Sequence, residues 1–182
     1  MQGGGSMASE KPSFEAVYNE QFSNIYNFIY GQLLNKERTE DLVSDIFIKA
    51  MNNYERYDPS KASVRTWLTN IARNTLIDEY RKASIRNHVS LDVDEEERGP
   101  DPSYEDEYTI FEEETEQEVH QLLAMLSEGE RELLGMIYFQ KMKNEEIGAV
   151  LGINAKAVSE RHRRLLVKCR KVAADSRLFE TW

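Results

Sequence analysis

Proline and glycine are scarce in this chain, four and nine among 182 residues, and three of the glycines fall within the first five positions. A fold of many short strands needs such residues at its turns, so an extensive sheet is not expected. Cysteine occurs once, as Cys169, which excludes an intramolecular disulfide and fits a reducing compartment. No apolar run approaches the roughly 20 residues that span a bilayer, and no secretory apolar segment is present, so membrane insertion is not expected. The three histidines, His88, His120 and His162, lack metal-ligand spacing, and no phosphate loop or nucleophile elbow occurs. Catalysis and cofactor binding are therefore not expected. The first nine residues, MQGGGSMAS, read as a cloning remnant and carry no fold information.

Charge is abundant and uneven. The net charge of −10 argues against a nucleic-acid partner until its distribution is followed. Residues 92–118 hold fourteen Asp/Glu and one Arg, a net −13, so the remainder nets +3. From Lys61 to Arg86 there are six Lys/Arg against two acids, and from Lys156 to Lys171 seven against Glu160 alone. Two basic stretches thus flank an acidic middle, and the overall balance conceals both.

The second basic stretch belongs to a helix-turn-helix pattern. Asn144 is a candidate cap for a first helix whose apolar face is Ile147, Val150 and Leu151. Gly152 falls just past its end, where positive φ is wanted, Ile153 fills the corner, and Asn154 caps a second helix. That helix buries Val158, Leu165, Cys169 and Val172 and carries its cations on the other faces. A basic second helix after a glycine turn is the geometry that enters a DNA major groove. Lys156, Ser159, Glu160 and Arg163 would lie nearest base edges, and Arg161, Arg163 and Arg164 would hold phosphates.

Upstream, Pro12 to Leu34 reads as a helix or helix pair with an apolar and aromatic face, ended by Gly31 and Asn35. Thr39 to Tyr54 is the most regular helix: Leu42, Val43, Ile46, Phe47, Ala50, Met51 and Tyr54 form one stripe, and Thr39 is its expected cap. Its outer face, with Asp41, Ser44, Asp45 and Lys49, is either solvated or a docking surface. Asp58-Pro59 breaks the chain into a loop, after which Ser63 caps Val64 to Lys82. Arg65, Thr69, Asn70, Arg73, Asn74 and Arg81 on that helix are side chains of the kind that hold phosphates and read bases. Trp67 and Tyr80 could stack on bases, although core burial is the ordinary role of such a tryptophan. Residues 87–117, acidic and interrupted by Gly99, Pro100 and Pro102, read as a linker between helical domains at 10–86 and 118–182. Ser127-x-x-Glu130 forms a capping box ahead of Leu133, Leu134, Ile137 and Tyr138. The chain ends at Trp182, and no third domain is expected.

Both halves resemble one family, the extracytoplasmic-function class of bacterial sigma-70 factors. Glu40-Asp41-Leu42-Val43-Ser44-Asp45-Ile46-Phe47 and Thr66 to Asn74, with Asp78 and Arg81, resemble its region 2. Leu126-Ser127, Glu130-Arg131, Glu146-Ile147, Leu151-Gly152-Ile153 and Val158 to Arg164 resemble its region 4. The resemblance implies an all-α, two-domain transcription initiation factor of the bacterial cytoplasm. Its partners would be core RNA polymerase, promoter DNA and an anti-sigma factor. Asp41, Ser44, Asp45, Phe47 and Lys49 would bind polymerase. Asp58, Lys61, Arg65, Asn70, Arg73, Asn74 and Arg81 would act on melted minus-10 DNA, and the residues of the basic second helix on minus-35 duplex. Several positions depart from the family pattern: Ser44 stands for a usual Gln, Ser127 for Pro, Gly148 for Ala, and His162 for an apolar residue. Ala157 and Ser159-Glu160 also differ, so the minus-35 preference does not carry over. The competing expectation is a two-domain helix-turn-helix repressor or activator with a ligand pocket and no polymerase contact.

Overall fold

The computed structural model describes residues 11–89, 113–176 and 178, and among them the chain is helical with no strand. Seven α-helices follow in order: α1 (Phe14–Leu33), α2 (Lys36–Asn53), α3 (Val64–Val89), α4 (Glu113–Ala124), α5 (Glu128–Leu134), α6 (Asn144–Leu151) and α7 (Ala155–Asp175). Most of the acidic stretch, including Tyr104 and the prolines, lies outside the described residues. Of the expected linker, residues 87–89 continue α3 and residues 113–117 open α4.

Helices α1, α2 and α3 pack mutually around Ile25, Ile29, Ile46, Leu68 and Ala72, all fully buried. Each such aliphatic side chain contributes roughly 1.5–3 kcal/mol of burial. The expected helix or helix pair before Asn35 is one helix, capped by Ser13, whose Oγ accepts from the Ala16 N–H at 3.2 Å. Gly31 does not end it. Gly31 lies inside the helix, where a Cβ would stand 3.5 Å from the Phe139 ring and 3.9 Å from Leu123. The end is made by Leu34 at φ 51, and Asn35 immediately caps α2 through a 2.9 Å bond from the Arg38 N–H. Asn35 therefore takes the role expected of Thr39, which is buried one turn inside and donates to the Asn35 carbonyl at 2.7 Å. Ser63 does cap α3, accepting from the Thr66 N–H at 3.2 Å.

The second domain is built on Leu123, Leu126, Leu133, Ile147, Val158 and Leu165. The capping box at Ser127 is present: its N–H donates to Glu130 Oε2 at 2.9 Å. The chain after α5 does not continue as α-helix but widens into a π-helical turn, Gly135–Phe139, closed by the Gln140 N–H on the Gly135 carbonyl at 2.9 Å. That turn presents Gly135 and Met136, both buried, to α1. The two domains thus meet along α1 and α3, a contact that the sequence did not announce.

Candidate nucleic-acid interface

Local chemistry builds the helix-turn-helix. Lys143, not Asn144, occupies the cap of α6, and its N–H donates to Glu146 Oε2 at 2.9 Å. Gly152 adopts φ +68 and α6 ends there. Asn154 caps α7, its Oδ1 accepting from the Ala157 N–H at 2.8 Å. Gly148 stands at the tightest point: a Cβ there would lie 2.5 Å from the Ile153 carbonyl oxygen. A Cβ there would oblige the turn to shift, a cost that helix propensity alone does not include.

Helix α7 buries Val158 and Leu165 and half-buries Cys169 and Val172. Burial first, and the Glu130 carboxylate second, hold the Cys169 thiol above its ordinary range, so it stays a protonated packing group. Lys156, Ser159, Arg161, Arg163 and Arg164 are exposed. Glu160 is half-exposed and pairs with Arg163 at 2.9 Å and Arg164 at 3.3 Å. The hydrogen bond from Arg163 leads the effects that keep the Glu160 carboxyl below its ordinary range. His162 is half-buried: its Nε2 lies 3.2 Å from the Tyr138 hydroxyl and the two rings meet edge to face.

The candidates on α3 divide between two faces. Asn70, Asn74, Ile77 and Arg81 form an exposed stripe, with Asn70 donating to the Thr66 carbonyl at 3.0 Å and Arg81 paired to Asp78 at 3.0 Å. The neighbouring face is turned to the second domain. Arg73 Nε donates to Glu132 Oε1 at 2.8 Å, and Arg65 Nη1 reaches the Lys141 carbonyl at 3.5 Å. Ser63 and Thr66 hydroxyls approach Glu146 Oε1 at 3.3 and 3.2 Å, and Thr69 lies 3.4 Å from Gln140. In the loop before α3, Asp58 accepts from the Ser60 N–H and hydroxyl at 2.9 and 2.7 Å, with Lys61 at 3.8 Å. Those bonds from Ser60 lower its pKa. Trp67 is half-buried against Tyr57 and Tyr54, and Tyr80 reaches the Gln32 carbonyl at 3.4 Å.

On α2, Asp41, Ser44, Asp45 and Lys49 are exposed, with Ser44 bonded to the Glu40 carbonyl and Lys49 to Thr75. Phe47 is only 5% exposed and packs with Tyr18 and Phe22, so it supports this face from behind. Met51 leaves the expected inner stripe and is 55% exposed, beside Ile48 at 53%. Ile48 continues the 41-44-45 row by one turn, a spacing that could have revealed it. Glu132, Gln140 and Glu146 gave no comparable signal.

Residues 18–85 match the family model for Sigma-70 region 2, and residues 116–169 match that for Sigma-70, region 4. The ECF RNA polymerase sigma factor SigX of Bacillus subtilis (strain 168) is 26% identical over 159 residues, covering 85% of this chain and 81% of that protein. The RNA polymerase sigma factor YlaC of the same organism is 26% identical over 168 residues, covering 92% and 95%. The fold is that of the sigma factor RpoE from Bartonella quintana, solved with the anti-sigma factor NepR: TM-score 0.72 at 20% identity, covering 88% of this chain and 96% of that one. CnrH, solved with the cytosolic domain of CnrY, superimposes with a TM-score of 0.62 at 21% identity, covering 89% and 88%. With both regions matched in order over more than half its length, on a helical frame that ends in a helix-turn-helix with an exposed basic helix, the chain belongs to the extracytoplasmic-function class of the sigma-70 family.

Proposed function

We propose that this chain directs core RNA polymerase to its promoters by three surfaces and makes or breaks no bond itself. Its place of action is then the bacterial cytoplasm, where polymerase and promoters are. The basic face of α7 carries the reading, because Lys156, Arg161, Arg163 and Arg164 stay exposed there, with Arg163 and Arg164 paired to Glu160 of the same helix rather than to another element. Lys156, Ser159, Glu160 and Arg163, in the first turns of α7, face minus-35 base edges, and Arg161 and Arg164 grip phosphates. Asn70, Asn74 and Arg81, with Asp58 and Lys61 in the loop and Arg65 and Arg73 beside them, take the melted minus-10 strand. Asp41, Ser44, Asp45 and Lys49, joined by Ile48 and Met51, dock on polymerase. A protein with this surface needs to be held back when not required, and an anti-sigma factor is the partner expected to do so.

The test is run-off transcription with core polymerase on a promoter library. The chain should select a defined class of promoter, and permanganate should reveal melting at minus-10. Asn70→Ala with Asn74→Ala should keep promoter binding and lose melting. Binding to DNA that is independent of core polymerase, with no transcript from any promoter, would instead mark a repressor or activator.

A further inference from the structure

The turn that closes α2 is fastened by the short segment ahead of α1. Helix α2 runs into a 3-10 turn, Tyr54–Arg56, and Tyr57 follows in extended backbone. The last carbonyls of a helix carry partial negative charge and call for donors or cations. Lys11 supplies both: its Nζ donates to the Tyr54 carbonyl and lies 3.3 Å from that of Glu55. The same nitrogen stands 4.4 Å from the centre of the Tyr54 ring and 5.8 Å from that of Tyr57, within reach of cation–π attraction. The segment that carries Lys11 is tied down in turn. The Tyr54 hydroxyl donates to the Pro12 carbonyl at 2.5 Å, Phe14 meets the Tyr54 ring edge to face at 5.3 Å, and Ser13 caps α1.

Tyr57 passes this restraint to the loop before α3. Its ring stacks on Tyr54 at 5.8 Å and lies against Trp67 at 4.9 Å, and its hydroxyl spans the loop to donate to the Ala62 carbonyl at 2.9 Å. Inside that span, Asp58 accepts from the Ser60 N–H and hydroxyl, and the Lys61 N–H donates to the Asp58 carbonyl at 3.1 Å. Pro59, Ser60 and Lys61 are exposed, so the loop takes its pose from its ends and from Tyr57 beneath it. A loop that waits in its binding pose binds more tightly and more selectively than one ordered on contact, because its entropy is lost in folding and not in binding. We infer that Lys11 is a positioning residue for single-strand capture: by fixing the Tyr54–Tyr57 turn it holds Asp58 and Lys61 in the pose that takes the melted strand, without touching DNA itself. The inference rests on the sigma-factor reading for what the loop captures. The strap on the turn is a property of the free chain.

The test compares Lys11→Met, which keeps the stem and loses donor and charge, with Lys11→Arg, which keeps both. In the free chain, amide hydrogen exchange over residues 58–62 should speed by about tenfold in Lys11→Met, as local opening becomes easier, and return toward the parent rate in Lys11→Arg. Exchange within α1, α2 and α3 should stay unchanged, which separates loss of the loop pose from loss of the domain. If Lys11→Met loosens those helices as well, Lys11→Gln, which keeps a neutral donor, carries the comparison. Both variants should bind core polymerase as the parent does. With polymerase, on the promoter that run-off transcription selects, preference for the matched minus-10 single strand over single-base mismatches should fall in Lys11→Met by about fivefold, the low end of what one base contributes. Lys11→Arg should recover it. A contribution to stability alone would lower the melting temperature and leave that preference intact. Tyr57→Phe, which removes the bond to Ala62, should cause the same loss, and the double variant little more, since both act through one loop pose. Loop exchange and strand preference both unchanged in Lys11→Met would overturn the inference, and so would a loosened loop with intact preference. Failure to transcribe from any promoter would overturn the sigma reading, and the exchange rates would still decide whether Lys11 holds the loop.

Discussion

Glycine is rare here, and two of its positions are set by opposite demands. Gly148 is helical and must let the Ile153 carbonyl approach, whereas Gly152 has φ +68 with open space around it. Gly129 lies in α5 with nothing within 4 Å of a Cβ. Helix propensity alone would favour alanine at both helical sites by up to about 1 kcal/mol. Gly148→Ala is instead expected to destabilise by about 1–3 kcal/mol, because the clash is with backbone that cannot rotate away. Gly129→Ala should raise the melting temperature slightly. Thermal denaturation of the two variants checks the contrast, and equal shifts would remove the steric account of Gly148. Glu160 is the second residue of consequence. It occupies Arg163 and Arg164 within the same helix, so Glu160→Gln should free two cations for phosphate. Affinity for every duplex should rise and the salt dependence steepen, while discrimination among minus-35 sequences weakens. Titrations of matched and scrambled duplexes across a salt series would test this, and an unchanged salt slope would show that the two arginines stay off the phosphates.

At the scale of elements, two carboxylates tie helices together and should show in acid. The backbone N–H of Lys143 contributes most to lowering the Glu146 pKa below 4.5, with burial opposing and the Thr66 and Ser63 hydroxyls and Arg65 assisting. For Glu130, burial raises the pKa, but the bond from Lys168, 2.5 Å long, and those from Ser127 outweigh it. A carboxylate held low in the folded state contributes stability above its unfolded value and loses it as pH falls through the folded value. The stability difference between the parent and Glu146→Gln should therefore be flat above about pH 5 and shrink below 4.5. Melting temperatures from pH 3 to 7 would measure it, and a difference that persists undiminished at pH 3 would deny the ionised form a role. The same elements show how far the chain could be read in advance. The helix-turn-helix and the Ser127 box were legible because Gly152, Asn154 and Glu130 act on backbone groups a few residues away. Asn35 and Thr39 are both good caps four residues apart, and spacing cannot choose between them. The choice falls to Leu34, which closes α1 with positive φ and delivers Asn35 already extended. Met51 was misplaced because an apolar stripe on α2 is wider than the core it meets. Spacing gave Glu132 and Gln140 no role and Glu146 none beyond its match to region 4, since their partners on α1 and α3 and in the turns before them lie 59 to 116 positions away in sequence.

At the scale of the whole molecule, the acidic middle of the chain is expected to compete with promoter duplex for the basic face of α7. The stretch 92–118, with its net −13, is joined to both basic surfaces by the chain itself. Acids tethered beside a basic helix compete with phosphates for its cations, and such competition is screened once the Debye length falls to a few ångströms. Replacing the acids of residues 92–112 by their amides in the full chain should therefore strengthen duplex binding at low salt, and the advantage should fade as salt rises toward 1 M. Fluorescence anisotropy with a duplex probe, on the parent and the amide variant across the salt series, measures this. Amide substitution that leaves duplex affinity unchanged at every salt concentration would make the acidic stretch a spacer.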